Sequence, residues 1–176
     1  MKKVLLSAVI VSALFACGTK TENNATASST ASTTVPAEAF GYTLNSSENI
    51  NTAKKAINAG ANLDTTTFKS IYADTAEIYD NRNKQTIFDN MKMGSMFKSK
   101  GITLKIEEIG DIWETVSFKE DGRSFTNYVN VYFDASFIKG TQKSTVRINA
   151  VFAFKGGKIV REWDTYDSAP VVEMFK

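Results

Sequence analysis

Residues 152–167 read FAFKGGKIVREWDTYD, and this stretch decides the fold class. Residues that favour β-structure lie on both sides of Gly156-Gly157, and such a glycine pair is typical of a two-residue hairpin turn. The pattern therefore predicts two long antiparallel strands, one from Ser144 to Phe154 and the other from Lys158 to Tyr166.

Two further runs of the same kind precede this hairpin. They extend from Ile102 to Val116 and from Ser124 to Ile138, and the pairs Asp121-Gly122 and Lys139-Gly140 mark the turns. Because each run follows the previous one after a short turn signal, the four strands are predicted to form an antiparallel meander.

The segment upstream of the meander has helical periodicity instead. Apolar residues at helical spacing between Ile50 and Ala61 predict a first helix, and Gly60 marks its expected end. Asp64 is expected to cap a short second helix. A third helix is predicted over 84–98. A brief strand, 76–80, separates the second helix from the third. Apolar residues surround the third helix, so we expect it to be deeply packed. Helices followed by hairpins are typical of an α+β domain.

The order of these elements, together with residues 152–167, resembles the SnoaL-like branch of the NTF2-like superfamily over about residues 47–172. Tyr72-Ala73-Asp74 is similar to the pattern that ends the second helix in that family. The resemblance implies an α+β cone-shaped barrel, in which three N-terminal helices pack on a curved antiparallel sheet and enclose a pocket. It also implies a homodimer formed through the outer face of the sheet. The family includes isomerases, cyclases, dehydratases and epoxide hydrolases, so no single reaction follows.

The pairing of the last two strands decides which residues enter that pocket. Counting outward from the turn places Asn149 opposite Asp164 and Arg147 opposite Tyr166, on one polar face. Burial alone would turn the opposite, more apolar face toward the helices, whereas the resemblance places Asp164 in the pocket. We follow the resemblance and expect a dimer to cover Trp163 on the outer face. A bulge in either strand would undo this pairing.

The candidate site follows from this choice of face. Asp164 is the predicted acid or base, with Tyr166 or Tyr128 beside it, since buried carboxyl groups suit acid/base work. The predicted ligand-binding residues are Trp113, Tyr128, Tyr132, Arg147, Asn149 and Glu162. Two structural alternatives stay open: Asp164 as a buried hydrogen-bond anchor, and Arg147 as an ion-pair partner of Glu162 or Asp164.

Several kinds of chemistry are excluded or disfavoured by composition. The chain has no histidine and one cysteine, which excludes histidine-based catalysis and leaves no metal site that we expect. The superfamily's epoxide hydrolases need an arginine on an earlier strand, but Asn130–Asp134 contains none. No glycine-rich phosphate loop is present, so no cofactor is expected. A formal charge of +2, with the charges interspersed, disfavours nucleic acid as a partner.

The N-terminus predicts export and anchoring. Lys2-Lys3 precede an apolar run that is too short to span a bilayer, which is typical of a signal peptide over residues 1–16. Leu14-Phe15-Ala16-Cys17 resembles the lipobox of bacterial lipoproteins, which implies a lipid such as palmitate on Cys17. A plain secretory signal cleaved near Ala16 is the alternative. Residues 17–46, rich in Ser, Thr, Ala and Asn, are predicted as a flexible tether, and residues 47–176 as the folded domain.

These features support three hypotheses about function. The leading one is a membrane-tethered domain in the cell envelope that binds a small apolar or amphipathic molecule. The second is a cofactor-independent lyase, isomerase or hydrolase that uses Asp164 with a tyrosine. The third is an envelope interaction module that docks a partner on its outer sheet face. The domain would face the periplasm or the exterior, and Gly18 favours the outer membrane because it is not the aspartate that retains some lipoproteins at an inner membrane.

Overall fold

The computed structural model describes residues 41–117 and 127–176. The predicted signal peptide, Cys17, most of the tether and the turn at Asp121-Gly122 lie outside these ranges. The elements in chain order are β1 (Gly41–Leu44), α1 (Glu48–Asn62), α2 (Thr65–Ile71), β2 (Tyr72–Asp80), β3 (Asn83–Thr86), α3 (Ile87–Ser99), β4 (Thr103–Ser117), β5 (Asn127–Lys139), β6 (Gln142–Lys155), β7 (Lys158–Thr165) and α4 (Ala169–Glu173).

The strands of the described ranges form one curved, unclosed sheet of seven strands in the order β1-β4-β5-β6-β7-β2-β3. The predicted α+β class and the antiparallel meander β4 to β7 are confirmed. The sheet is mixed at one edge, since β2 pairs with β7 in parallel. These two strands are connected through the whole meander and not by a hairpin, which makes the parallel direction accessible.

The two edge strands of the sheet were not predicted from the sequence. β1 pairs with residues 114–117 of β4, so residues 41–44, which were predicted as part of the tether, form a strand. β3 pairs with the last four residues of β2. Both strands have four residues, too short a stretch to show a clear alternation of apolar and polar side chains.

The helices α1 and α2 begin as the sequence predicts. The Ser47 side chain accepts a hydrogen bond from the Ile50 amide, and the Asp64 side chain accepts one from the Thr67 amide. The predicted end of α1 at Gly60 is wrong, because the helix continues to Asn62 and ends at Leu63, which has a φ of 56°. The buried face of α1 contacts the core that lines the concave side of the sheet.

Helix α3 is less buried than its composition predicts. None of its residues is fully buried, and the side chains of Phe88 and Met96 are 72% and 46% exposed. Met91, Met93 and Phe97 line a cavity, so they do not pack in a closed core. The prediction of deep packing is therefore wrong, because one apolar side of α3 covers a cavity and the other faces solvent. None of the helices in the described ranges has the length and apolar character needed to cross a bilayer.

A bulge in β7 changes which residues face the helices. Gly156 and Gly157 have φ values of 58° and 74°, as the predicted two-residue turn requires. The pairing follows the prediction as far as Phe154 with Ile159, but Ala153 then pairs with Arg161, which leaves Val160 as an extra residue. Beyond a one-residue bulge every side chain points to the opposite face.

The bulge overturns the predicted pairs of β6 with β7. Asp164 lies opposite Ala150 and not Asn149, and Glu162 lies opposite Phe152. The apolar face of β6 and the acidic residues of β7 therefore share the concave face. Burial predicts that the apolar face of β6 lies on the concave side, and the resemblance predicts that Asp164 lies there. The structure has both, so the two expectations no longer conflict.

A buried carboxylate, that of Glu114, joins α1 to the far end of the sheet. Its Oε1 atom accepts hydrogen bonds from Asn49 Nδ2 at 2.6 Å and from Asn127 Nδ2 at 2.7 Å. Two amide donors offset the cost of removing this carboxyl group from water. We assign Glu114 a structural role, since it lies outside the cavity described below.

Candidate functional site

The helices α1, α2 and α3 and the concave face of the sheet enclose a cavity of about 660 Å³. Most of its wall is apolar and includes Ile57, Phe68, Met91, Phe97, Phe133 and Ile148. One part of the wall, formed by β2 and β7, is polar. We call the three carboxyl residues of this part, Asp80, Glu162 and Asp164, the acidic wall.

The parallel pairing of β2 and β7 brings these carboxyl groups together. Ile78 pairs with Glu162 and Asp80 with Asp164, which places all three acidic residues on the same face of adjacent strands. Tyr72, at the start of β2, donates a hydrogen bond from its hydroxyl to Glu162 Oε2 at 2.5 Å. The acidic wall is thus built from two strands that are far apart in the sequence.

Asn81 fixes the end of the acidic wall. Its backbone φ is 53°, in the left-handed region that asparagine tolerates better than most residues. Its amide donates to the Asp164 carbonyl oxygen at 2.8 Å, and its Oδ1 atom accepts from the Tyr166 amide at 3.1 Å. Asn81 therefore holds Asp164 and Tyr166 in position through the backbone.

Two carboxyl oxygens of the acidic wall are unsatisfied. Asp80 Oδ1 and Asp164 Oδ1 have no accessible surface and, among the described residues, no hydrogen-bond partner. Both residues line the cavity and are otherwise half-buried. A buried acceptor without a partner costs free energy, and a donor brought by a ligand would recover that cost.

The environment of Glu162 and Asp164 favours the protonated forms of these two carboxyl groups. Burial raises the pKa of Glu162 to about 7, although a hydrogen bond from Tyr72 opposes this rise. Burial also raises the pKa of Asp164 well above its ordinary value, and the charges of Glu162 and Asp80 raise it further. Near pH 7 this pair therefore keeps a proton on Asp164, which can donate, while Glu162 can accept.

The two tyrosines beside the wall stay neutral. Burial raises the pKa of Tyr72, and the charge of Glu162 adds to this effect. Burial likewise raises the pKa of Tyr166, with a further contribution from Asp80. Both phenols therefore serve as hydrogen-bond donors and not as anions.

The acidic wall makes the stability of the domain dependent on pH. The pKa of Glu162 is raised in the folded state, so the folded protein binds more protons than the unfolded chain between about pH 4.5 and 7. This stability is fully present below that range and is lost as the pH rises through 7. We expect Glu162 to lower the free energy of unfolding by about 2 to 3 kcal/mol between pH 5 and 8, and the raised pKa of Asp164 adds to this fall, which urea unfolding measures.

The Glu162→Gln variant should remove the part of this dependence that Glu162 contributes and keep the part that Asp164 contributes, since the chain has no histidine that titrates in the same range. The matched control is Glu107→Gln. Lysines beside the exposed Glu107 lower its pKa to about 2, so this control should keep the wild-type dependence between pH 5 and 8. A stability that is constant over this range in the wild type would contradict the assigned protonation of the wall.

Among the predicted site residues, Glu162, Asp164 and Tyr166 come together at the cavity. The other predicted site residues do not lie on the concave face, so their predicted placement is wrong. The bulge at Val160 reverses the direction of the later side chains in β7 and leaves the other strands unchanged. The residues that lie on the outer face are Trp113, Tyr128, Tyr132, Arg147 and Asn149.

These outer residues have partners of their own. Arg147 Nε and Nη2 donate to Asp134 at 2.8 and 2.9 Å, so the predicted ion pair of Arg147 with Glu162 or Asp164 is wrong. The rings of Trp113 and Tyr132 lie 6.2 Å apart between centroids. Trp163, on the same face, has the Arg161 guanidinium 5.5 Å from its ring centroid.

Three residues of the site were not identified from the sequence: Tyr72, Asp80 and Asn81. Tyr72 and the strand that ends at Asp80 were recognised as elements, but not as parts of the site. The available signal was an aspartate and an asparagine at the end of a short strand. In the described ranges, no group of three or more acidic, histidine or cysteine side chains is arranged to hold a metal ion.

Comparison with known proteins identifies the fold. No protein-family model matches the sequence, and no curated protein matches it. Among solved structures, a proposed polyketide cyclase from Xanthomonas campestris pv. campestris is similar, with a TM-score of 0.57 and 10% identity over 76% of this chain and 100% of its own. An LEH-like epoxide hydrolase from M. tuberculosis has a TM-score of 0.50 and 18% identity over 73% of this chain and 89% of its own.

A third similar structure is that of TerC co-crystallised with polyporic acid. It has a TM-score of 0.51 and 15% identity, and the match covers 73% of this chain and 98% of TerC. At such identities the likeness concerns the fold alone, and it confirms the NTF2-like α+β architecture. Function must therefore be inferred from the residues of the site and not from the fold.

Proposed function

We propose that this domain binds a small, largely apolar molecule in its cavity, with a polar end of that molecule against the acidic wall. One observation carries the proposal: a largely apolar cavity of about 660 Å³ whose three half-buried carboxyl groups lie together on β2 and β7. Ligand sites typically have about 300 to 1,000 Å³ and combine an apolar lining with a few polar groups that orient the ligand.

Helix α3 supports this proposal. It contributes Met91, Met93 and Phe97 to the cavity, and methionine side chains adapt to ligands of different shape. The co-crystal of TerC with polyporic acid provides an example of a similar fold with a small organic molecule.

The test uses N-phenyl-1-naphthylamine, an uncharged dye whose fluorescence rises in apolar surroundings. Met93→Trp should fill part of the cavity and weaken dye binding by about tenfold or more. Met96→Trp is the matched control, because Met96 lies on the same helix but is exposed and does not line the cavity. Equal dye affinity in both variants and the wild type would contradict binding in this cavity.

Acid/base catalysis without a cofactor is our second candidate function. The observation that favours it is the protonated Asp164 beside an ionisable Glu162, both at the wall of an apolar cavity. Glu162 would remove a proton from the carbon next to a carbonyl group, while Asp164 would donate a hydrogen bond to the carbonyl oxygen. Return of the proton to a different carbon completes an isomerisation. Opening of an epoxide by the superfamily's arginine-based mechanism is disfavoured, since no arginine of the ranges 41–117 and 127–176 lines this cavity.

We further propose that the domain is held at the cell envelope by a lipid on Cys17. The support is the short apolar segment before Cys17 and the absence of any other cysteine from the chain. A third function, docking of an envelope partner or a second copy on the outer sheet face, would involve Trp163 and Trp113.

A further inference from the structure

The polar part of the cavity offers acceptors and lacks a basic partner. Asp80, Glu162 and Asp164 face the cavity, and among the described residues that line it Lys98, which is exposed, is the one basic residue. Buried carboxyl groups are normally paired with a cation or with several donors. Here Tyr72 and Asp164 hydrogen-bond to Glu162, and Tyr166 hydrogen-bonds to Asp80, but the atoms Asp80 Oδ1 and Asp164 Oδ1 have no partner among the described residues.

A ligand that satisfies this wall must bring donors, and preferably positive charge. A neutral alcohol brings one O–H, whereas a protonated primary amine brings three N–H donors and a charge. The Asp80–Asp164 pairing across β2 and β7 places the two unsatisfied carboxyl groups side by side, where one ammonium group could contact both. An ammonium group at this position would also favour the ionised form of Asp164, so its binding would release the proton that burial keeps there and form a charged hydrogen bond.

We infer that the cavity binds amphipathic primary amines, with the ammonium group between Asp80 and Asp164 and the apolar part under α3. This inference rests on the proposed binding function and narrows it to one class of ligand. The apolar part of such a ligand would contact Met91, Met93 and Phe97, which also line the cavity.

Amine binding should depend on pH through Glu162. The groups that face it are Tyr72 and Asp80 from β2 and Asp164 from β7, with Tyr166 beyond that strand. The helices add Asp64 and Lys98, both exposed at the edge of the cavity. Because burial raises the pKa of Glu162 to about 7, the wall gains negative charge between pH 6 and 8. An alkyl ammonium group stays charged in this range, so its affinity should rise with pH.

The experiment compares two probes that differ only in the polar end, 4-phenylbutylamine and 4-phenyl-1-butanol. In each measurement the probe displaces N-phenyl-1-naphthylamine from a protein that consists of residues 17–176 and carries Cys17→Ser. This protein retains every described residue. At pH 8 the amine should bind about tenfold or more tightly than the alcohol, and this preference should shrink at pH 6. Asp164→Asn and, independently, Asp80→Asn should remove the preference. The matched control Asp134→Asn, on the outer face, should keep it.

The outcomes separate this inference from the proposed function. If the alcohol displaces the dye as well as the amine does, the amine inference is wrong while the binding function stands. The amine inference is also wrong if the amine is preferred but neither Asp164→Asn nor Asp80→Asn reduces the preference. If the dye itself does not bind in the cavity, the proposed function fails and the inference fails with it.

Discussion

Insertion of one alanine between Arg161 and Glu162 is expected to abolish the folded state of the domain. The turn and the bulge at Val160 fix β7 as far as the pair of Ala153 with Arg161, so one added residue moves every later side chain to the other face. Trp163 would then point toward the cavity side, and Glu162 and Asp164 would point outward and lose their register with β2. Overpacking by Trp163 and loss of the β2–β7 pairs together cost on the order of several kcal/mol, which is comparable to the total stability of about 5 to 15 kcal/mol of a typical domain.

The effect is measured by circular dichroism and urea unfolding of the insertion variant. Val160→Ala is the control, since it keeps the chain length and the bulge, and should cost about 1 kcal/mol or less at this half-buried position. Cooperative unfolding of the insertion variant, together with retained dye binding, would show that the register of β7 does not determine which face lines the cavity.

The helices and the meander could be predicted because their signals are local. Apolar spacing in α1, the cap at Asp64 and the glycine pair Gly156-Gly157 each act over a few residues, and the structure has them as expected. The end of α1 shows the limit of such signals. A leucine, Leu63, adopts the left-handed conformation that glycine normally supplies, because the contacts of the helix carry it beyond Gly60.

The bulge at Val160 has no comparable local signal. A bulge of this kind requires no glycine, and valine and arginine also fit a regular strand. Its presence is decided by the core, since only the shifted register lets Phe152 and Ile159 stay buried while Glu162 reaches the cavity. A count of residues from the turn therefore predicts the wrong face for Arg147 and Asn149.

The candidate site was predictable only in part, for a related reason. Asp164, Glu162 and Tyr166 lie in the stretch that resembles a known family, so they could be identified together. Tyr72 contacts Glu162 across 90 residues of sequence, and the parallel pairing that brings Asp80 to Asp164 joins elements at opposite ends of the domain. Long-range pairing of this kind follows from the tertiary structure, and no residue spacing in the sequence indicates it.

Replacement of Asp164 with asparagine is expected to reduce acid/base turnover by about two to four orders of magnitude. The suitable substrate is cyclohex-3-en-1-one, whose isomerisation to the conjugated enone is followed by ultraviolet absorbance. Asparagine keeps the shape of Asp164 but cannot supply a carboxylic proton to the developing oxyanion. Glu162→Gln should cause a similar loss, because it removes the base.

The pH profile identifies the two roles. Turnover in the wild type should rise through about pH 7 as Glu162 loses its proton, and fall at higher pH as Asp164 loses the proton that burial retains. Asp134→Asn, on the outer face, should keep both the rate and the profile, and Asp164→Asn should keep cooperative unfolding. If Asp164→Asn retains turnover, Asp164 is not the acid. If the wild type does not convert this ketone, the acidic wall acts on it neither as acid nor as base, and binding stands as the function of the cavity.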